Sequence, residues 1–132
     1  MGPVSTPGSR SLELVLPAVP ASVPHARRAV ASLLDRLDVD QWAVEIMVSE
    51  AVTNAVVHAY PDGAPGQVRL EAWLDDALLT VVVGDDGVGM SGRASPGLGE
   101  GLAVIRRLAA EVDIHSRGGT RLVMRLRLGD GA

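Results

Sequence analysis

The chain has no cysteine and no lysine. The first absence excludes disulfides, thiolate metal sites and a cysteine nucleophile. The second follows from all twelve basic residues being arginine, and it excludes a lysine Schiff base, a lysine general base and the lysine of Walker-type P-loop ATPases. No apolar run approaches the roughly 18 to 20 residues that cross a bilayer, and no basic stretch leads into an apolar segment at the N-terminus. The expectation is therefore a cytoplasmic protein without a membrane partner. Positive charge is not in surplus either: 12 basic against 16 acidic residues give a formal net charge of −4, and the pI is near 5.2. Direct nucleic-acid binding normally rests on a surplus of cations that neutralise phosphate, so that class is set aside. What is present is ordinary globular material, 47% hydrophobic and 21% charged over 132 residues, which suits one domain with one core.

Residues 1–10, MGPVSTPGSR, have almost no apolar content and read as a flexible tail, leaving 11–132 as a single domain. Ser11 to Leu16 alternates polar and apolar before Pro17, the pattern of a strand at a sheet edge. Helical spacing of Ala26, Ala29, Val30, Leu33, Leu34 and Leu37 predicts a first helix from Pro24 to Leu37. A second begins after Asp40, a good N-cap, and runs to about Ala59. Between Trp42 and Ala59 its only formally charged residues are Glu45 and Glu50, so most of its surface is too apolar to face water. Strands follow at Gln67–Leu74 and Ala77–Val83 around Asp75-Asp76, then a glycine-rich segment from Gly84 to Gly101, and a third helix from Leu102 to Ala110. Val112–Ser116 and Thr120–Leu128 close the chain as a hairpin around Arg117-Gly118-Gly119.

Four short patterns could carry chemistry. In EAVTNAVVHAY, residues Glu50, Asn54 and His58 stand at i, i+4 and i+8 and form one stripe at the border of the apolar arc. A carboxylate and a carboxamide there need partners, because leaving them buried and unpaired costs several kcal/mol. Neighbouring backbone could supply those partners, as could a metal ion or a nucleotide. In VVVGDDGVGM an apolar strand ends at Asp85, with Gly87 and Gly89 in D-x-G-x-G spacing. Such an aspartate can accept from an exocyclic amine while the glycines let backbone approach a planar ring; a tight turn uses the same residues. In PGLGEGL, Gly97, Gly99 and Gly101 precede the third helix, where exposed N–H groups and the positive end of the helix dipole favour phosphate, and a hinge before a helix would read alike. Gly118-Gly119-Thr120, taken alone, is a turn. The dinucleotide fingerprint does not apply, since these glycines follow a long loop late in the chain rather than a first strand.

Taken in order, the four patterns resemble those of the GHKL superfamily of ATP-binding domains, over about Leu12 to Leu128. EAVTNAVVH, from Glu50 to His58, looks like the N box of the small bacterial anti-sigma factor serine kinases, including the histidine that closes it. LAAEVDI followed by RGGT is similar to the same branch. The resemblance implies an α/β two-layer sandwich of the Bergerat type, a mixed, mostly antiparallel sheet of about five strands with three helices on one face. It further implies ATP and Mg²⁺ as cofactors, with Asn54 ligating the metal and Glu50 as general base toward a partner's serine. Asp85 would read the adenine amine with help from Thr120. Gly87 and Gly89 would admit the nucleotide, Gly99, Gly101 and Leu102 would meet the phosphates at the helix start, and His58 would close the N box beside them. The partners implied are a STAS-type anti-anti-sigma protein, a sigma factor and a second copy of the chain. Two features depart from the family's pattern. The stretch between Gly89 and Gly99 is shorter than most relatives' lids, with Arg93 as its single cation, and Glu100 puts a negative charge inside the phosphate turn. Two alternatives therefore stand beside kinase activity, namely a nucleotide-binding regulatory module without phosphotransfer and an orphan histidine-kinase catalytic domain.

Overall fold

Strands with alternating apolar residues can bury one side only, and the three amphipathic or apolar helices cover that side. The computed structural model describes residues 10–35, 37, 39–60, 65–87, 98–116 and 118–128. In chain order these form β1 (Arg10–Pro17), α1 (Ser22–Leu33), α2 (Gln41–Asn54), β2 (Gln67–Asp75), β3 (Leu78–Asp85), α3 (Leu98–Leu108), β4 (Glu111–His115) and β5 (Thr120–Arg127). The sheet order is β1-β2-β3-β5-β4, so β1 is an edge strand as its pattern predicts. The expectation of a mixed sheet is refined, because all four pairings are antiparallel. The β3–α3–β4 crossover skips one place in the sheet, and β5 fills it by hairpin return, so no two parallel strands become neighbours.

Along β2 the residues Val68, Leu70 and Ala72 are fully buried under the helices, while Arg69 is exposed on the other face and Glu71 only half-buried. The central strand β3 is buried on both faces, its Thr80 and Val82 included. α2 lies between α1 and α3 and presents Val44, Met47, Val48, Ala51 and Val52 to the sheet, which explains its low charge. Among the described residues no helix is long and apolar enough to cross a membrane.

The helix ends show where tertiary contacts override local pattern. α1 starts two residues before Pro24, where the Ser22 hydroxyl donates to the Pro17 carbonyl at 2.6 Å; Pro24 then sits in the first turn, where no N–H is needed. It ends at Leu33 rather than Leu37 because the Arg10 guanidinium, reaching from β1, takes the carbonyls of Leu33 and Asp35 at 3.0 and 2.8 Å. Asp40 caps α2 as expected, its Oδ1 accepting from the Ala43 N–H at 3.1 Å. α2 also continues to Ala59, but its last five residues, Ala55–Ala59, form a π turn. α3 begins at Leu98, four residues before the predicted start, so Gly99 and Gly101 lie within its first turn rather than ahead of it. Glu100 in that turn complements the positive end of the helix, and Arg106 and Arg107 the negative end.

Candidate functional site

The last two turns of α2 bring Glu50 and Asn54 toward the first turn of α3. A Cβ built on Gly101 would lie 2.9 Å from Glu50 Oε2 and 3.2 Å from Asn54 Oδ1. The two side chains thus converge on one point, and glycine at 101 lets them stand there without being displaced. Asn54 Nδ2 is buried, and among the described residues no group accepts from it. An amide nitrogen left in that state costs about 1–3 kcal/mol, so the site is suited to a partner other than the described residues. Turned about its last torsion, the same carboxamide offers its oxygen to the same space. Carboxylate and carboxamide oxygens are hard ligands suited to magnesium, which takes one or two protein groups and completes its shell with phosphate and water. Among the described residues no three acidic or imidazole groups converge as an all-protein metal cage. The residues present therefore fit a magnesium-bound phosphate and not a stand-alone metal centre.

Asp85, at the end of β3, is 6% exposed. Its Oδ1 accepts from the Gly87 N–H at 2.9 Å and the Thr120 N–H at 3.3 Å. Both bonds converge on one oxygen and leave Oδ2 for a ligand that donates. Burial pushes the carboxyl above its ordinary value and the neighbouring Asp86 charge adds to the rise, while the Gly87 and Thr120 amides and Arg69 act the other way. Asp85 and Thr120 are register partners across β3 and β5, which is why residues 35 apart meet. The hairpin tip that delivers Thr120 requires glycine. Gly119 has φ +117°, and a Cβ on it would meet the Asp85 carbonyl oxygen at 2.0 Å. Gly87 makes an equally close approach, its hypothetical Cβ falling 2.0 Å from the carbonyl oxygen of Ala59 at the end of the π turn. The turn after β3 and the end of the π turn are therefore packed backbone to backbone.

Of the residues singled out in the sequence, the structure brings Glu50, Asn54 and Gly101 together at one end, and Asp85, Gly87 and Thr120 at the other. His58 is half-buried on the π turn, where the wider turn alters the helical phase it would have kept in an α-helix. The Leu102 side chain packs against the hydrophobic core. Gly99 lies in the first turn of α3. Gly89, Arg93 and Gly97 fall outside the described residues.

Three residues escaped the sequence reading. Tyr60, the single tyrosine, donates its hydroxyl hydrogen to the Gln67 carbonyl at 2.6 Å and accepts from the Asp86 N–H at 3.0 Å. Asp86 also receives both terminal nitrogens of Arg69, each at 2.9 Å. That guanidinium holds the Asp86 carboxyl below its ordinary range. The signal in the sequence was faint: one aromatic residue directly after the helix, and a second aspartate beside the first.

The profile of the family described as "Histidine kinase-like ATPase domain" matches residues 16–126. The chain is similar to the anti-sigma F factor of Clostridium novyi, with 32% identity over 120 residues that cover 78% of this chain and 84% of the relative. It is similar to the anti-sigma F factor of Clostridium beijerinckii at 33% over 117 residues, covering 76% and 82%. The anti-sigma F factor of Bacillus subtilis is 32% identical over a shorter stretch of 83 residues, 61% of this chain and 57% of that one. Among solved structures, the RsbU and RsbW domains of a Mycobacterium tuberculosis protein superimpose with a TM-score of 0.70 at 24% identity. That match covers 89% of this chain but 32% of the longer one, so it speaks for the fold of one domain.

Proposed function

This chain belongs to the histidine kinase-like ATPase domain family, alongside the anti-sigma F factors, and on that premise we propose that it binds Mg-ATP, phosphorylates a serine of an anti-anti-sigma protein in the cytoplasm, and sequesters a sigma factor. The observation that carries the reading is the buried Asn54 amide, without an acceptor among the described residues, set beside Glu50 under Gly101.

In this reading the adenine amine donates to Asp85 Oδ2, and the amides that converge on Oδ1 keep that carboxylate aimed. Gly87 lets the turn after β3 close against the Ala59 carbonyl, and the first turn of α3, which opens at Leu98, offers its free N–H groups, that of Gly99 among them, to the phosphates. The N–H groups of Gly101 and Leu102, expected there from the sequence, are taken up by the helix's own i→i−4 bonding once α3 starts at Leu98. Magnesium held at Asn54 would neutralise phosphate charge. The reaction is an in-line transfer. The partner's serine oxygen forms a bond to the γ-phosphorus as the bond from that phosphorus to the β,γ-bridging oxygen breaks, and ADP leaves. Glu50 takes the serine proton. Its Oε2 faces the same point beside Gly101 as the Asn54 carboxamide, which puts a proton acceptor next to the proposed phosphate site.

The test is to incubate the purified chain with Mg²⁺, γ-labelled ATP and a candidate anti-anti-sigma protein. Labelled phosphoserine is expected on the partner. Glu50→Gln should slow transfer by about 10²- to 10⁴-fold with nucleotide affinity by calorimetry little changed. Transfer at the wild-type rate in that variant removes Glu50 from the role, and ATP bound with no phosphoserine formed selects a binding-only regulator.

A further inference from the structure

We propose that Tyr60 is a positioning residue for base recognition, acting through Asp86 on the carboxylate of Asp85; the proposal rests on the nucleotide reading above. The β2–β3 pairing ends at Val68↔Asp85, which makes Gln67 and Asp86 the next pair in register. Their backbone groups do not meet directly. The Tyr60 hydroxyl stands between them, accepting from the Asp86 N–H at 3.0 Å and donating to the Gln67 carbonyl at 2.6 Å. One side-chain oxygen thus extends the ladder by a rung and spreads the two strands at their open end.

The ring has a place kept for it. A Cβ on Gly66 would lie 2.2 Å from Tyr60 ring atoms, so glycine at 66 is what lets the ring lie flat against the start of β2. Asp86 is then fixed at two points, its amide by Tyr60 and its carboxylate by Arg69 on the far face of the sheet. Asp85, the last residue of β3, directly precedes this anchored residue, with Gly87 beyond it donating to Oδ1.

Tyr60 also directly follows the helical run that carries Asn54 and the π turn. The hydroxyl therefore ties the phosphate end of the site, borne by α2, to the base end, borne by β3.

Tyr60→Phe keeps the ring and deletes the bridge, so the variant folds. In the nucleotide-free protein, amide hydrogen exchange at Asp86 should be faster than in the wild type while exchange in the core of β3 is unchanged. By calorimetry, affinity for Mg-ATP should fall roughly twofold to tenfold, the size of one net hydrogen bond. Affinity for Mg-inosine triphosphate, which lacks the amine that Asp85 reads, should stay at its wild-type value. A role confined to structure would lower both affinities together, and that result overturns the proposal, as does unchanged exchange at Asp86. If the wild-type chain binds neither nucleotide, the nucleotide reading fails and takes the selectivity claim with it; the exchange at Asp86 still reports the bridge separately.

Discussion

Replacing Asn54 by alanine should make the free protein more stable while removing its nucleotide affinity. Asn54 Nδ2 is buried with no acceptor among the described residues. The penalty is taken at the low end of the range for such a group, about 1 kcal/mol, because the residue as a whole is only half-buried. Asn54 is the last residue of α2 and remains helical, so alanine also gains roughly 0.5 kcal/mol of helix propensity. Against this, the small void left facing Gly101 forfeits about 0.5 kcal/mol of packing. The balance is a gain of about 1 kcal/mol, which in a domain of this size raises Tm by roughly 3–6 °C. The assay is chemical and thermal unfolding of both proteins without nucleotide, then again with saturating Mg-ATP. Nucleotide should raise the wild-type Tm and leave the variant's unchanged. A variant less stable than the wild type in the absence of nucleotide would refute the reasoning, because the amide would then have had a stabilising partner within the protein.

Gly101→Ala places a methyl group 2.9 Å from Glu50 Oε2 and 3.2 Å from Asn54 Oδ1; stability should change by under about 1 kcal/mol, while displacement of these groups slows phosphotransfer on the order of 10- to 100-fold, as read by label transfer to the partner. Gly119→Ala, with φ +117° and the Asp85 carbonyl oxygen 2.0 Å from the new Cβ, should cost more than about 2 kcal/mol in urea unfolding. Gly118→Asn, at φ +69° with nothing within 4 Å, should cost less than about 1 kcal/mol. Asp85→Asn keeps an oxygen acceptor for the Gly87 and Thr120 amides and removes the buried charge. The Asp85 carboxyl is raised above 3.8 in the folded state, so its favourable contribution is fully present below the unfolded value and is lost as pH rises through the folded one. The variant should therefore gain stability relative to the wild type from about pH 4 toward about pH 7, while Mg-ATP affinity collapses; urea midpoints across that range and calorimetry check both halves.

Much of this was legible because it is periodic. The i, i+4 spacing of Glu50 and Asn54 fixes them on one side of a helix, and alternation in Gln67–Leu74 fixes which face of β2 is buried. The end of β3 at Asp85 was readable from the apolar run before it. Where the reading slipped, the deciding contact came from far along the chain. α1 stops at Leu33 because Arg10 reaches its carbonyls, although apolar spacing continues to Leu37. α3 starts at Leu98 although glycines usually argue against a helix, because Gly101 is selected by what it faces, Glu50 and Asn54. The π turn at Ala55–Ala59 carries no signature in its own residues.

Tyr60, Asp86 and Arg69 were invisible for a related reason, and it bears on how the site works. Their partnership depends on the β2–β3 register, which places Gln67 opposite Asp86 and Arg69 opposite Gly84. A register is a property of the pair, not of either strand. Once it is known, residues that look unrelated in sequence become one connected support: Arg69 from the open face, Tyr60 from the helical face, both bonded to Asp86 beside the buried carboxylate of Asp85. The groups that would touch a ligand declare themselves by chemical type, as an orphan carboxamide or a buried carboxylate. The groups that hold them in place are ordinary residues whose role is set by position alone. It follows that a substitution at Asn54 or Asp85 should change what is bound while leaving the free fold at least as stable. A substitution at Tyr60 or Gly119 acts on the support, at Tyr60 by loosening how accurately the ligand is read and at Gly119 by straining the backbone that holds Thr120 against Asp85.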